Sequence, residues 1–127
     1  MFELSKTFQF EAAHTLHRVV DAAPSRRIHG HSYSAQVTVR GERDPVSGMV
    51  IDLGLFQRAL EIARDGLDHH FLDDVPDLGP GTIENLCVWI WRTLAPLCPG
   101  LARVTVSRAS GDSCAYFGPH SGQKAAP

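Results

Sequence analysis

The feature that most constrains this chain is a pair of histidines, His29 and His31, at the start of an alternating segment. Beyond His31 every second residue is apolar, a period of two that is typical of a strand with one buried face. These apolar positions are Tyr33, Ala35, Val37 and Val39. Since both histidines share their parity, we expect both imidazoles on the covered side. Two such imidazoles can bind a transition metal if a third ligand is available; otherwise one packs in the core and the other binds a carbonyl group.

A second alternating segment covers residues 2–12, and we predict a strand there as well. Its apolar face consists of Phe2, Leu4, Phe8, Phe10 and Ala12, with Lys6 as an interruption. His14 continues the apolar parity just beyond this segment, provided that the chain does not bend at Ala12-Ala13. His14 is therefore the candidate for the third metal ligand.

Residues 15–28, which connect these two strands, are predicted to form a loop. The loop contains three arginines, Arg18, Arg26 and Arg27. Guanidinium groups close to a metal can bind phosphate. A solvated basic loop would have the same composition, so the sequence leaves both interpretations open.

The rest of the chain predicts two amphipathic helices followed by two further strands. In chain order, the predicted elements are strands over 2–12 and 31–41, helices over 53–66 and 83–95, and strands over 101–108 and 114–118. Asp52 and Thr82 precede the two helices and are good N-caps. This order favours an α+β fold, a four-stranded antiparallel sheet with both helices on one face (ββααββ). The exposed edges of such a sheet favour a homo-oligomer that covers them.

Several charged residues lie where a site could use them. Asp68 and His69 are adjacent after the first helix, where a carboxylate can raise the basicity of an imidazole. Glu84 lies in the first turn of the second helix, where either the helix dipole or a ligand can use its charge. Arg108 continues the apolar parity of its strand, so it needs an anion. That anion is either internal, with Glu84 and Asp112 as the candidates, or belongs to a ligand.

Composition excludes several classes of function. The chain has 127 residues, which fits one domain over 1–118, and the small polar segment 119–127 is predicted to be a disordered tail. A formal net charge of -2 favours neither nucleic acid nor a membrane surface as a partner, and no apolar run is long enough to cross a membrane. The three cysteines lack Cys-x-x-Cys spacing, and no secretory signal is visible. We therefore expect a reducing, cytoplasmic location.

Taken together, the motifs over about residues 2–118 resemble the family of 6-pyruvoyl- and 6-carboxy-tetrahydropterin synthases. In order, they are Phe8-Gln9-Phe10-Glu11-Ala12-Ala13-His14, Ile28-His29-Gly30-His31-Ser32-Tyr33, Gly48-Met49-Val50-Ile51-Asp52-Leu53, Leu67-Asp68-His69, Gly81-Thr82-Ile83-Glu84-Asn85 and the hairpin with Tyr116. Each segment is weak evidence alone, but the set, in the family's order and spacing, is specific.

The resemblance implies the tunnelling fold, in which subunits associate through sheet edges into a β-barrel. The common assembly is a hexamer of two stacked trimers, with active sites between subunits. The resemblance also implies zinc bound by His14, His29 and His31, with the open coordination position taken by a pterin-like substrate.

The resemblance further assigns roles to residues outside the metal site. The family's Asp-His pair, which takes part in proton transfer, corresponds to Asp68 and His69. Glu84 belongs to the Thr-x-Glu-Asn motif that begins at Thr82, and this motif helps to line the pterin pocket.

The chain departs from the family at two positions. The catalytic cysteine lies four residues before the first histidine of His-Gly-His, where this chain has Ser25. A serine hydroxyl is far less acidic than a thiol and needs an adjacent base, for which His69 is a candidate. The pterin-anchoring glutamate of the penultimate strand is replaced by Arg108, which offers only donors and a fixed positive charge.

Three hypotheses follow. The leading one is a zinc-dependent lyase-type enzyme that acts on 7,8-dihydroneopterin triphosphate, the family's substrate, with Arg26 or Arg27 at the triphosphate. The second is a paralogue with the same zinc site and a different substrate, for example an anionic one, which Arg108 favours. The third is a non-catalytic zinc-bearing oligomer that binds a small ligand, which the loss of the cysteine favours.

Overall fold

One antiparallel sheet, covered on one face by two long helices, accounts for most of residues 1–119, which the computed structural model describes. The elements are β1 Phe2–His14, α1 Ala22–Arg26, β2 His29–Gly41, α2 Leu53–Asp65, a 3-10 turn Leu72–Asp74, α3 Ile83–Leu94, β3 Leu101–Arg108 and β4 Ser113–Tyr116. The strands lie in the order β1-β2-β3-β4, each antiparallel to its neighbour. The predicted α+β fold is confirmed.

The apolar core lies between the sheet and the helices α2 and α3. Its fully buried side chains include Phe10, Val37, Val104, Phe56, Leu60, Leu86 and Ile90. Both predicted helix caps are present. The carboxylate of Asp52 accepts hydrogen bonds from the amides of Gly54 and Leu55, and the hydroxyl of Thr82 accepts one from the amide of Asn85.

Several boundaries differ from the sequence prediction. β1 and β2 are longer than predicted, because their pairing continues to His14 and His29. The predicted loop 15–28 contains the five-residue helix α1, where two alanines precede a proline that the first helical turn tolerates. β4 covers Ser113–Tyr116 instead of 114–118. The predicted tail, apart from Pro119, lies outside the described residues.

β1 and β4 are the two edge strands of this sheet. The segment that follows α2 covers part of the β1 edge. There the amide of His69 donates to the carbonyl of Glu11, and the amide of Ala13 donates to the carbonyl of His70. Among residues 1–119, no helix is long and apolar enough to cross a membrane.

Candidate metal centre

The pairing of β1 with β2 brings three histidines together at one end of the sheet. His14 lies opposite His29, and Ala12 lies opposite His31. Residues opposite each other in an antiparallel pair project from the same face, so all three imidazoles project from the face that carries the core. His14 is buried, and His29 and His31 are partly buried. The structure thus brings the three predicted ligands together.

The Nε2 atoms of these three imidazoles converge. His14 Nε2 lies 2.9 Å from His29 Nε2 and 3.1 Å from His31 Nε2. Tetrahedral zinc with Zn–N distances of about 2.0–2.1 Å separates two ligand nitrogens by about 3.3 Å. The three nitrogens therefore fit such an ion, and a set of imidazoles suits zinc and other transition metals.

Backbone carbonyls fix the tautomers of two of the rings. His14 Nδ1 lies 2.8 Å from the carbonyl oxygen of Gly81, and His29 Nδ1 lies 2.7 Å from that of Arg27. A carbonyl can only accept, so each Nδ1 carries the proton and each Nε2 keeps its lone pair for a metal. The His31 ring instead packs edge-on against the ring of Tyr33, with centroids 5.7 Å apart.

The charge state of the rings also suits a metal. Burial lowers the pKa of His14. Burial, together with the nearby guanidinium of Arg108, lowers the pKa of His31 to about 4. Both imidazoles are therefore neutral near pH 7, which is the form that binds metals.

A cleft of about 390 Å³ opens beside His14. Its other charged or hydroxyl-bearing lining residues are Arg18, Thr82, Glu84, Arg108, Asp112 and Ser113. The three residues that the sequence assigned to substrate binding, Thr82, Glu84 and Arg108, thus share one cleft with the candidate metal ligand His14. Of the three arginines in the predicted loop, Arg18 lines this cleft, whereas Arg26 and Arg27 are exposed and are not part of its lining.

Arg108 points into the site, as its parity predicts, and only 24% of its side chain is exposed. Of the two candidate partners, the structure pairs it with Asp112. Arg108 Nε lies 3.0 Å from Asp112 Oδ2, and Nη2 contacts the same oxygen. Hydrogen bonds from Arg108 lower the pKa of Asp112, so this carboxyl stays ionised. The third nitrogen, Nη1, lies 3.4 Å from Nε2 of His31.

Ser25 lies apart from this cleft. It is buried in α1, and its hydroxyl donates a 2.9 Å hydrogen bond to the carbonyl of Ala22. Its own carbonyl accepts from the amide of Leu16. The hydroxyl of Ser25 is thus engaged within the local helix, and the role of His69 as its base stays a prediction.

Asp68 and His69 also lie outside the cleft in the single chain. They line a neighbouring cavity of about 710 Å³, which Arg108 also lines, and His69 borders a smaller pocket together with His31. Asp68 accepts a 2.9 Å hydrogen bond from the amide of Glu11 and lies 3.9 Å from Nε2 of His69, which is too long for a hydrogen bond. The two side chains therefore do not form a hydrogen bond in the single chain, and the orienting role of Asp68 stays a prediction. The side chain of His69 is 81% exposed.

Sequence reasoning missed the supports of the metal centre. It gave no role to the carbonyl of Gly81 or to Asp73, which accepts a 2.9 Å hydrogen bond from the amide of Thr15 next to His14. A backbone acceptor leaves no signal in the residue type. The signal that could have indicated Gly81 was its residue type, because a glycine directly before the Thr82 cap allows a close approach of the backbone to another group.

Comparison with known proteins supports one assignment. The family model described as 6-pyruvoyl tetrahydropterin synthase matches residues 3–119. The chain is 34% identical over 125 residues to a 6-carboxy-5,6,7,8-tetrahydropterin synthase of Synechocystis, covering 94% of this chain and 95% of that one. It is 33% identical over 132 aligned positions to the human 6-pyruvoyl tetrahydrobiopterin synthase, covering 91% of each chain.

Solved structures agree with the sequence relatives. The structure of Caenorhabditis elegans 6-pyruvoyl tetrahydropterin synthase superposes with a TM-score of 0.80 at 27% identity, covering 93% of this chain and 96% of that one. A Plasmodium vivax 6-pyruvoyltetrahydropterin synthase, solved as a catalytic-residue mutant in which a glutamate is replaced, has a TM-score of 0.74 at 18% identity, with coverage of 91% and 96%. The predicted tunnelling fold is thereby confirmed.

The first prediction concerns Gly81. A Cβ atom at this position would lie 3.2 Å from Leu72 Cβ and 3.3 Å from His14 Nδ1, and both neighbours are buried. Gly81→Ala should displace the His14 ring and weaken metal binding about 10–100-fold, measured with added zinc by competition with a chelator. Gly41→Ala is the matched control, because its Cβ would meet only Val50, at an ordinary 3.5 Å. Equal zinc affinity of the two variants would contradict the structure.

The second prediction concerns the backbone of His69. Its φ of 58° is left-handed, which costs a residue with a Cβ about 1 kcal/mol. His69→Gly should therefore be more stable to urea than His69→Ala by about that amount. Both variants remove the imidazole, so any activity that needs it should fall equally. A more stable alanine variant would show that the left-handed conformation is not strained.

Proposed function

Because this chain belongs to the 6-pyruvoyl tetrahydropterin synthase family, we propose that it is a zinc-dependent lyase-type enzyme acting on 7,8-dihydroneopterin triphosphate or a closely related compound. The observation that carries the proposal is the convergence of three imidazoles beside a cleft of about 390 Å³. The curated relatives are named as synthases of 6-carboxy- or 6-pyruvoyl-tetrahydropterins.

His14, His29 and His31 would hold the zinc ion. Zinc with an open coordination position supplies Lewis-acid polarisation of hydroxyl and carbonyl oxygens on a substrate. The chain's own residues then orient the substrate. Glu84 is exposed at the first turn of α3 on the wall of the cleft, where its carboxylate can accept the N–H groups of a pterin ring.

We assign proton transfer to Asp68 and His69. A second copy of the chain would contribute this pair to the site. Two features support this assignment. The pair lies outside the cleft of its own chain, and the imidazole of His69 is largely exposed and thus available to a neighbour. A homo-oligomer in which the β1 and β4 edges pair, with a hexamer as the proposed assembly, would place such a pair at the boundary between subunits.

Ser25 occupies the position of the family's nucleophile, and we propose that it contributes little in the conformation described. Its hydroxyl would first have to leave the carbonyl of Ala22 and then find a base. The Plasmodium vivax enzyme, with its catalytic glutamate, is a fold relative whose named catalytic residue is not a cysteine. The proton transfers therefore rest mainly on His69.

A related enzyme with a different substrate is the second candidate, and Arg108 is the observation that favours it. The resemblance places a pterin-anchoring glutamate at this position, and an arginine cannot accept the N–H groups that such a glutamate binds. The site would then select another ligand while keeping the same metal chemistry.

The zinc assignment predicts one zinc ion per chain. His29→Ala combined with His31→Ala should lose it, because one imidazole alone cannot hold the ion. Elemental analysis of the purified proteins measures the stoichiometry. His17→Ala, a histidine outside the group of three, is the control and should keep its zinc. Stoichiometric zinc in the double variant would refute the assignment.

Turnover of 7,8-dihydroneopterin triphosphate by the zinc-loaded protein tests the substrate. We expect turnover, and a faster rate for Ser25→Cys if a thiolate at this position can still act. Ser47→Cys, which adds a thiol in the exposed β2–α2 connection, controls for unspecific thiol effects. No turnover by protein with full zinc would favour the second candidate. An unchanged rate for Ser25→Cys would show that the reaction does not use this position.

A further inference from the structure

The guanidinium of Arg108 is held in one orientation by the turn that follows β3. Two of its nitrogens bond Asp112 Oδ2, and the hydroxyl of Ser110 donates to the same oxygen at 3.2 Å. The amide of Arg108 donates to the carbonyl of Asp112, and the amide of Gly111 donates to the carbonyl of Arg108, both at 2.9 Å. These contacts leave Nη1 as the one nitrogen of the group directed away from the turn.

The free nitrogen faces the point where the imidazoles converge. Nη1 lies 3.4 Å from His31 Nε2, and this Nε2 lies 3.1 Å from His14 Nε2. Nη1 of Arg108 thus contacts His31 Nε2, the atom that would bind the metal. The contact between Nη1 and His31 depends on the single lone pair of that Nε2.

Metal binding and the Nη1 contact therefore compete for one lone pair. Once a metal takes it, Nη1 is left without its acceptor in a half-buried position, which is unfavourable. Charge acts in the same direction. An imidazole that binds a metal is a neutral ligand, so three of them would leave the charge of a divalent ion uncompensated, and Asp112 offsets only the charge of Arg108. An anionic oxygen next to both groups would satisfy Nη1 and reduce the repulsion.

We propose that Arg108 is the anion-binding residue of this site: its Nη1 donates to a carboxylate-type oxygen of the ligand at the metal's open position. The inference rests on the proposed metal centre and adds the class of ligand, a compound that presents an acidic oxygen to the metal. Asp112 is a positioning residue, since it touches the guanidinium and holds Nη1 toward the centre.

The test uses the full-length protein loaded with Co²⁺, whose visible spectrum reports ligands at the open position. Acetate is the anionic probe and imidazole is the neutral probe. Arg108→Gln should weaken acetate binding about tenfold or more, as the loss of a charge-assisted hydrogen bond implies. Its affinity for imidazole should stay within about twofold, since the neutral probe gains nothing from a guanidinium.

Two further variants complete the design. Arg103→Gln removes one positive charge from the same strand but far from the histidines, where Arg103 contacts Thr38, so its acetate affinity should be unchanged. Arg108→Lys keeps the charge but lacks the fork that pairs with Asp112, and it should also lose most of the acetate affinity. This second variant keeps the proposal open to refutation if Arg108→Gln does not fold.

Each outcome has one meaning. Equal acetate affinity of the unmodified protein and both Arg108 variants would overturn the inference and leave the metal centre intact. An equal loss of acetate and imidazole affinity would also overturn it, because the variant would then have disturbed the metal itself. Failure of the unmodified protein to bind Co²⁺ at the three histidines would overturn the proposed function together with the inference.

Discussion

The register between β1 and β2 is the constraint on which the rest of the structure depends. The two strands pair over 13 residues each, and a shift of one residue would move every side chain of one strand to the opposite face. Apolar contacts fix this register. Phe10 lies opposite Tyr33 with the rings stacked at 4.8 Å, and both side chains are buried. The three imidazoles of the candidate metal centre continue the same faces, so burial of the core also sets the geometry of the site.

The connection between α2 and α3 then completes the centre from outside the sheet. Leu72 and Leu78 anchor this segment in the core. The carbonyl of Gly81 is thereby brought to His14, and the carboxylate of Asp73 to the amide of Thr15. Because the segment also begins α3 at the Thr82 cap, one stretch of chain supports the ring of His14 and places Glu84 at the cleft.

The sequence predicted what depends on periodicity and on local caps. Alternation gave the four strands and the shared face of the three histidines, and the capping residues gave the starts of α2 and α3. The sequence did not predict α1. Five residues are too few to show the apolar repeat by which a longer helix is recognised, and an alanine pair followed by a proline also occurs in loops. It also missed the engagement of Ser25 with Ala22, which follows from that short helix.

Contacts that depend on three-dimensional placement were predicted less well. Asp68 and His69 are adjacent in sequence, yet the carboxylate of Asp68 accepts a hydrogen bond from the amide of Glu11. Nε2 of His69 lies 3.9 Å from this carboxylate, too far for a hydrogen bond. Adjacent side chains on an irregular backbone rarely face each other, and the left-handed φ of His69 turns its side chain outward. Arg108 was predicted to need an anion. The choice between Glu84 and Asp112 depends on the geometry of the hairpin turn after β3, and the sequence predicts that turn without its geometry.

The pair of Arg108 and Asp112 carries no net charge, but its two ends face different surroundings. The arginine end is 24% exposed and borders His31, whereas the aspartate end is 51% exposed and sits on the turn. The dipole of the pair therefore presents its positive end to the imidazoles. A glutamate at position 108 would present a negative charge to the same place. Since imidazoles add no charge of their own when they bind a metal, the sign of this one side chain decides whether the site favours a ligand's donors or its acidic oxygens.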